Sequence, residues 1–235
     1  MRDFRISWLL TLVLAIPSAP AFAMGDDDPV LSMVMIDRLE IGLEGGDTPQ
    51  WLEAQAWAGY DLNKLWLKTE VEREDDSTES ADLELLYGRA VAPYWDLQVG
   101  WKRDLQPRPM RDWLAVGLQG LAPYFFEVDS TLYLASSRAS LQFEAEYELL
   151  LTQRLILSPR VELVLNSYNE DRTGQGNGLA TAEAGLRLRY EIHREFAPYL
   201  GVHFERAYGN TADFRREEGE DRGDVYVVLG VRAWF

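Results

Sequence analysis

Apolar and polar residues alternate along much of the chain, and the alternation is clearest between residues 182 and 192. A period of two predicts a β-strand with one apolar and one polar face. A strand of a water-soluble sheet turns its apolar face to a core, whereas a strand of a transmembrane barrel turns that face to lipid. This stretch alone leaves both structures open. Its apolar face carries Ala182, Ala184, Leu186, Leu188, Tyr190 and Ile192.

Further alternating segments follow one another from residue 33 to the end of the chain, about twelve in all, which predicts a protein built from β-strands. They are 11 to 14 residues long, which is enough for a tilted strand to cross a bilayer, since about 9–11 residues are needed. The segments are residues 33–44, 50–60, 62–73, 79–90, 94–104, 111–121, 124–135, 138–149, 153–166, 179–192, 197–207 and 224–235.

The connections between the segments differ in length according to their position. Those after even-numbered segments are tight, such as residues 91–93 and 193–196, whereas those after odd-numbered segments are mostly longer and polar, such as residues 167–178 and 208–223. Short turns on one side and long loops on the other are typical of outer-membrane barrels. A β-sandwich has no reason to separate its connections in this way.

The last segment supports the same interpretation. Residues 225–235 alternate up to a terminal phenylalanine, Phe235, which lies on the apolar face of the segment. We interpret this ending as a barrel-assembly signal. The opposite faces of the segments are rich in glutamate, aspartate, arginine and lysine. We therefore predict an all-β fold: a transmembrane antiparallel up-and-down β-barrel of about 12 strands, with a polar lumen and both ends of the chain on the periplasmic side.

Composition and the first residues place the protein in the cell envelope. Residues 1–23 have the basic start, apolar centre and small-residue end of a cleaved signal peptide, so we expect processing before Met24 and export to the outer membrane. Residues 24–32 are expected to form a short flexible segment, and residues 33–235 the barrel. The chain has no cysteine and a net charge of −16, which disfavours thiolate metal sites and nucleic-acid partners.

Aromatic residues near the segment ends fit a membrane interface. The sequence Ala-Pro-Tyr recurs at Tyr94, Tyr124 and Tyr199, each time just after a tight turn. Aromatic rings gather at the level of the lipid headgroups, so we expect these tyrosines there. We expect the same of the tryptophans near segment ends, which are Trp51, Trp57, Trp95, Trp101 and Trp113.

Several blocks of sequence resemble the copper resistance protein B (CopB) family. They include residues 36–40, 63–70, 86–98, 117–124, 146–157 and, above all, residues 185–199, which read Gly-Leu-Arg-Leu-Arg-Tyr-Glu-Ile-His-Arg-Glu-Phe-Ala-Pro-Tyr. The resemblance extends from about Met33 to Phe235. It implies an outer-membrane barrel that takes part in copper resistance or copper homeostasis, with copper ions, the lipid bilayer and periplasmic copper-handling proteins as partners.

One departure from the family concerns the region before the barrel. Members of the family often carry there a long segment rich in methionine and histidine, which would bind copper. Residues 24–32 of this chain hold almost none of these residues. The resemblance therefore implies membership, and copper binding has to be sought among ligands in the barrel.

The candidate copper ligands are few. Copper(I) prefers thioether and imidazole ligands, and copper(II) prefers imidazole and oxygen. Met33 and Met35 lie two residues apart on one face of the first segment, and His203 and Glu205 share the lumen face of residues 197–207. With a carboxylate such as Glu183, the latter pair would form a weak cation site. The alternatives are a polar network of His203 with arginine and glutamate partners and, for the methionines, apolar packing or a mobile N-terminus.

Three other functions remain open at this stage. Lumen carboxylates without basic partners would favour cations and make the protein a small cation-selective channel, whereas paired networks would plug or narrow the pore. A structural outer-membrane barrel without copper binding is the second alternative. A lipid-modifying outer-membrane enzyme would need a histidine beside a serine on the lipid-facing or external rim. His193 falls in a tight turn, and His203 has no serine in its own segment or the next. We expect no enzymatic activity and no catalytic residue.

Overall fold

The computed structural model describes residues 29–43, 48–74 and 77–235, so the predicted signal peptide lies outside the described residues. Within these ranges thirteen strands and an α-helix are present. The strands are β1 (Leu31–Gly42), β2 (Gln50–Gly59), β3 (Asn63–Glu74), β4 (Ser77–Ala92), β5 (Trp95–Gln106), β6 (Arg111–Ala122), β7 (Phe126–Ala135), β8 (Arg138–Tyr147), β9 (Leu149–Leu150), β10 (Leu155–Asn166), β11 (Gly178–Tyr190), β12 (Phe196–Ala207) and β13 (Gly223–Trp234).

The strands form a closed antiparallel barrel. Strands that are neighbours in the chain pair with each other, except β8 and β9, and β1 pairs with β13 to complete the wall. β8 and β9 are separated by Glu148 and both pair with β10, so together they act as one strand and the wall is twelve-stranded. Closure pairs the backbone amide and carbonyl groups of every strand, which hydrocarbon would otherwise leave unsatisfied. This confirms the predicted fold, and β1 begins two residues earlier than expected.

The outer surface is apolar and the inner surface is polar. Leu186 and Leu200 on the outside are 47% and 52% exposed, whereas Arg187, which lies between Leu186 and Leu188 in the sequence, points inward and is buried. Among the described residues no helix is long and apolar enough to cross a membrane.

We call the end of the barrel where β1 begins and β13 finishes the terminal end, and the opposite end the loop end. The turns at the terminal end are short, as predicted. Tyr94 and Tyr124 lie in two of them and are 76% and 84% exposed. Tyr199, in the third Ala-Pro-Tyr sequence, instead points into the lumen and is buried. The shared motif therefore does not give a shared position, because Tyr199 already belongs to β12.

Several tryptophans expected at the membrane interface lie inside the barrel. Trp51 and Trp113 are 5% and 4% exposed, and Trp66 packs in a lumen cluster with Leu86 and Trp113. Trp57 packs against that cluster. Trp101 remains on the outer face. The expectation was wrong for Trp51, Trp57 and Trp113 because closeness to a strand end does not decide which face a side chain occupies.

The loop end carries the longer connections. Residues 208–223, expected to be an extended polar loop, contain the helix α1 (Gly209–Glu218). Arg215 and Arg216 lie in its last turn, where positive charge is favourable. Gly219 terminates it with a φ of 88°, and its backbone N–H donates to the carbonyl of Arg216. Within α1, Thr211 is buried, and its hydroxyl accepts a hydrogen bond from the amide of Gly176 at 2.9 Å.

Candidate functional site

A cavity of about 460 Å³ occupies the lumen from its middle to the terminal end. Acidic side chains outnumber basic ones in its lining, and the glutamines Gln55, Gln119 and Gln142 add amide groups. Met33 and Met35, both predicted as copper ligands, also line it. The cavity therefore combines thioether and carboxylate ligands within an enclosed polar space.

An irregularity in β1 determines which of its side chains face this cavity. The register of β1 against β2 shifts between Ile36 and Arg38, as it does in a β-bulge,. Met33, Met35 and Asp37 line the cavity before the shift, and Arg38 also lines it immediately after the shift. Adjacent residues Asp37 and Arg38 thus both face inward, which strict alternation would forbid.

Arginines bridge the lumen at mid-height. Arg160 contacts Glu53 and Glu144, each at 2.8 Å, and Arg38 contacts Glu70 at 3.1 Å. Arg160 and Glu53 are 107 residues apart in the chain, so the ion pair crosses the lumen rather than running along one hairpin. A guanidinium buried among carboxylates is favourable when its donors are well matched by acceptors.

Arg187 completes this layer. It donates to both carboxylate oxygens of Glu40, with Nη2 at 3.2 Å from Oε2, and Glu40 is fully buried. Gly185 gives Arg187 the space to lie against the wall, because a Cβ at Gly185 would come within 2.1 Å of the Arg187 guanidinium. We call Arg38, Arg160, Arg187 and Glu40 the mid-lumen partition.

His203 lies on the other side of the mid-lumen partition. Arg38, Arg160 and Arg187 also line a second pocket of about 10 Å³, which contains His203 and not Met33 or Met35. The His203 ring lies 5.2 Å from that of Trp51, and its Nε2 is 3.6 Å from Glu183. Within the described residues this nitrogen has no hydrogen-bond partner.

Glu205 belongs to the loop end. Its carboxylate pairs with Arg215 of α1, and this contact holds the helix against the lumen side of β12. The ion pair raises the pKa of Arg215 against the opposing effect of burial. Glu205 is therefore engaged by a cation of the chain itself.

A second contact closes the loop end. The carboxylate of Glu170, in the connection between β10 and β11, accepts hydrogen bonds from Arg111 and from Arg138, the latter at 2.9 Å. The Arg111 guanidinium also lies 5.3 Å from the centre of the Trp113 ring. Burial raises the pKa of Glu170, but the two arginines outweigh it, so this pKa lies below its ordinary value.

At the terminal end the charges are arranged in the opposite way. Arg232 of β13 lies among three carboxylates, those of Glu148 at 3.1 Å and of Asp37 and Glu146 at 3.8 Å. Its Nη2 is 4.0 Å from the sulfur of Met35. We call Met35, Asp37, Glu146 and Glu148 the terminal cluster.

The structure therefore separates the candidate ligands into two pairs. Met33 and Met35 line the terminal-end cavity, whereas His203 and Glu205 lie beyond the mid-lumen partition. Among residues 29–43, 48–74 and 77–235, no group of three or more histidine and acidic side chains is arranged to hold a metal ion. His193 lies in the tight turn after β11, as predicted. Asp37 was not predicted as a lumen residue, although it lies on the same face of β1 as Met33 and Met35.

An antiparallel barrel that is apolar outside and ionised inside defines an integral outer-membrane β-barrel. The solved structure of the NanC porin is similar in fold, with a TM-score of 0.56 at 13% identity, and the match covers 86% of this chain and 99% of the porin. Residues 30–235 match the family described as "Copper resistance protein B precursor (CopB)", and the chain belongs to this family.

Two relatives show how extensive the similarity is. Copper resistance protein B of Escherichia coli is 42% identical over 210 residues, which are 89% of this chain and 71% of the relative. A copper resistance protein B homolog of Pseudomonas syringae pv. tomato is 40% identical over 211 residues, with the same two coverages. The family inferred from the sequence blocks is thereby confirmed.

Proposed function

We propose that this protein serves copper resistance by binding copper ions in the terminal-end cavity of its lumen. The observation that carries the proposal is that Met33, Met35 and Asp37 all face this acidic cavity. Thioethers favour copper(I), and carboxylates accept copper(II). The cavity thus offers ligands for either oxidation state, although the chain has no cysteine.

Binding is a better fit to the geometry than free passage. The mid-lumen partition crosses the barrel between the cavity and His203, and Glu40 within it is 0% exposed. At the loop end, ion pairs tie α1 to β12 through Arg215 and Glu205, and Glu170 ties the connection between β10 and β11 to Arg111 of β6 and Arg138 of β8. An ion entering the cavity from the terminal end would meet this layer of buried ion pairs, which would have to open before the ion could pass.

The proposal places the terminal end in the periplasm. An even-stranded bacterial barrel keeps its short turns and both termini on that side. Copper would then reach the cavity from the periplasm, either as free ions or from periplasmic copper-handling proteins. Export would depend on the signal peptide expected at residues 1–23.

We propose no catalytic role. A hydrolase would need a histidine on an accessible surface. His203 instead lies inside the barrel, beside Trp51 and Glu183. A release assay with phospholipid vesicles tests this point, because turnover that is lost in His203→Ala would contradict it.

Copper titration of the refolded mature protein in detergent tests the binding proposal. We expect the double variant Met33→Leu/Met35→Leu to lose about tenfold or more in copper(I) affinity, the effect of removing about 1.4 kcal/mol of binding free energy. His203→Ala should bind as the wild type does, because His203 lies beyond the mid-lumen partition. Met110→Leu is the matched control, since Met110 is an exposed thioether at the loop end.

Two results would contradict the proposal. If the wild type and the Met33/Met35 variant bind copper with equal affinity, Met33 and Met35 are not copper ligands. Steady cation-selective conductance of the unmodified protein in planar bilayers would favour permeation instead, and replacing Glu144, Glu146 and Glu148 by glutamine would then reduce it.

A further inference from the structure

Arg89 of β4 and Arg103 of β5 both lie on the outer face of the barrel, among largely apolar side chains. Arg89 is exposed, and its neighbours on the same face, Tyr87 and Val91, are 51% and 54% exposed. Each arginine comes three residues before its strand ends, Arg89 at the terminal end and Arg103 at the loop end. The two charges therefore lie at equal depths from opposite ends of the wall.

At the loop end the chain itself neutralises the charge of Arg103. Asp112 of β6 is directly opposite Arg103 in the register of the two strands. Its carboxylate accepts hydrogen bonds from Nε of Arg103 at 2.7 Å and from Nη2 at 3.0 Å. The indole of Trp101, two residues before Arg103, also donates to this carboxylate, at 2.9 Å. A bidentate ion pair of this kind leaves no net charge on the outer face.

The terminal end repeats this arrangement with one difference. Asn63 of β3 is directly opposite Arg89, and the hydroxyl of Tyr87, two residues before Arg89, donates to Oδ1 of Asn63 at 2.6 Å. An amide thus stands where the loop end has a carboxylate. Within residues 29–43, 48–74 and 77–235, no side chain forms an ion pair with Arg89. Its guanidinium therefore keeps a full positive charge on the face that meets the membrane.

A guanidinium without a partner on this face needs an acceptor from outside the chain. Hydrocarbon offers none, and an unpaired charge within it is costly. The long side chain of an arginine near a strand end reaches toward the interface, where phospholipids carry a negatively charged phosphate. The planar fork of the guanidinium matches two phosphate oxygens. The side-chain N–H groups of Asn63 can donate to the same phosphate, because Tyr87 occupies only its oxygen.

We propose that Arg89, together with Asn63, binds the phosphate of a phospholipid in the leaflet at the terminal end. The hydrogen bond from Tyr87 orients the Asn63 amide so that its donors are free for the lipid. A phospholipid bound here would fix the depth of this end of the barrel in the membrane. The inference goes beyond copper binding and does not depend on it, since no lumen residue takes part.

Lipid titration of the refolded mature protein in a non-ionic detergent, followed by native mass spectrometry, tests the proposal. The probes are phosphatidylglycerol and digalactosyldiacylglycerol with the same acyl chains, which has no phosphate. We expect Arg89→Gln to bind phosphatidylglycerol about fivefold more weakly than the wild type does. Both proteins should bind the galactolipid equally. Other basic residues of the outer face also attract anionic lipid, so the result is the difference between the two proteins.

Lys64→Gln is the matched control, because it removes one positive charge at the same end of the barrel. Lys64 faces the lumen, where it pairs with Asp96 at 3.6 Å and lies over the ring of Trp57. Its loss should change the affinity for phosphatidylglycerol by no more than about twofold.

Two further variants change the partner and keep both guanidiniums, so they test the proposal even if Arg89→Gln folds poorly. Asn63→Asp places a carboxylate opposite Arg89, as Asp112 stands opposite Arg103, and should weaken phosphatidylglycerol binding as much as Arg89→Gln does. Asp112→Asn does the reverse at the loop end. It frees Arg103, and phosphatidylglycerol binding should become about fivefold tighter.

Several results would refute the site. Equal affinities of the wild type, Arg89→Gln and Asn63→Asp for phosphatidylglycerol would show that the guanidinium binds no phosphate, and an equal loss in Lys64→Gln would show that net charge explains the effect. A matching loss for the galactolipid would assign the effect to acyl-chain packing. Displacement of the lipid by millimolar inorganic phosphate would show that the site takes free phosphate instead. None of these results bears on copper binding in the lumen, so the two proposals fail separately.

Discussion

The two ends of the lumen use the same kinds of side chain in opposite proportions. At the loop end the carboxylate of Glu170 lies between the guanidiniums of Arg111 and Arg138. At the terminal end the guanidinium of Arg232 lies among the carboxylates of the terminal cluster. The first arrangement leaves an excess of positive charge and the second an excess of negative charge.

The difference shows that one barrel wall can carry local charge clusters of either sign, with the mid-lumen partition between them. It applies to these two contacts and not to each end as a whole, because the loop end also holds the carboxylates of Glu72 and Glu205, which repel each other.

The largest expected effect comes from breaking the partition between the ends. Glu40→Ala leaves the buried guanidinium of Arg187 without its bidentate partner, and breaking such a pair costs about 3–5 kcal/mol. We expect this loss in urea-induced unfolding from lipid vesicles. In the same variant, His203→Ala should begin to affect copper affinity, because the cavity would then reach His203.

Glu217→Ala, on the exposed surface of α1, is the control for Glu40→Ala and should change stability by less than about 0.5 kcal/mol. If Glu40→Ala lowers the free energy of unfolding by less than about 1 kcal/mol, the ion pair of Glu40 and Arg187 does not hold the mid-lumen partition together.

A smaller effect is expected at the loop end itself. Glu170→Gln removes the charge that holds Arg111 and Arg138 together, at a cost of about 1–2 kcal/mol. The connection between β10 and β11 should then open more often, and trypsin should cleave after the exposed Arg172 about 5–30 times faster. An unchanged cleavage rate would show that the loop end is closed by other contacts.

The same contact predicts a pH dependence. Because the pKa of Glu170 is lowered in the folded protein, its contribution is complete above the ordinary glutamate value of about 4.3 and is lost as pH falls through the lower folded-state value. Protection of this connection from cleavage should be constant between about pH 6 and about pH 8, and it should fall only below about pH 4. Digestion with an acid-active protease measures it.

The smallest effect is expected for Arg138→Gln. This variant leaves a single ion pair at the contact, between Arg111 and Glu170. The Arg138 side chain is 32% exposed, so its ion pair is screened and should contribute less than about 1 kcal/mol. Cleavage after Arg172 should rise by no more than about fivefold. A change as large as that of Glu170→Gln would indicate that Arg138 carries the contact.

The barrel could be predicted from the sequence because a strand that faces lipid on one side and water on the other has to alternate. Each of the twelve predicted segments corresponds to one strand of the wall. His203 was predicted to face the lumen for the same reason, and it does. Local pattern was sufficient wherever the environment of a residue depends only on its parity.

Features that depend on partners distant in the chain could not be predicted. The shift between Ile36 and Arg38 changes the parity of β1, and no residue type marks it. Arg160 and Glu53 meet across the lumen, and barrel closure rather than sequence spacing brings them together. Trp51 and Trp113 are near strand ends, as membrane-interface residues are, but the lumen needs large side chains to fill it.

Met35 and Arg232 belong to β1 and β13, the first and last strands, which meet where the wall closes. Phe235 and Val34 exchange backbone hydrogen bonds of 2.8 and 3.0 Å at this seam. A chain that has not yet joined its two edges keeps the sulfur and the guanidinium on separate strands. The terminal cluster and its contact with Arg232 thus form only when the barrel has closed, and a chain still in transit through the periplasm would not yet contain them.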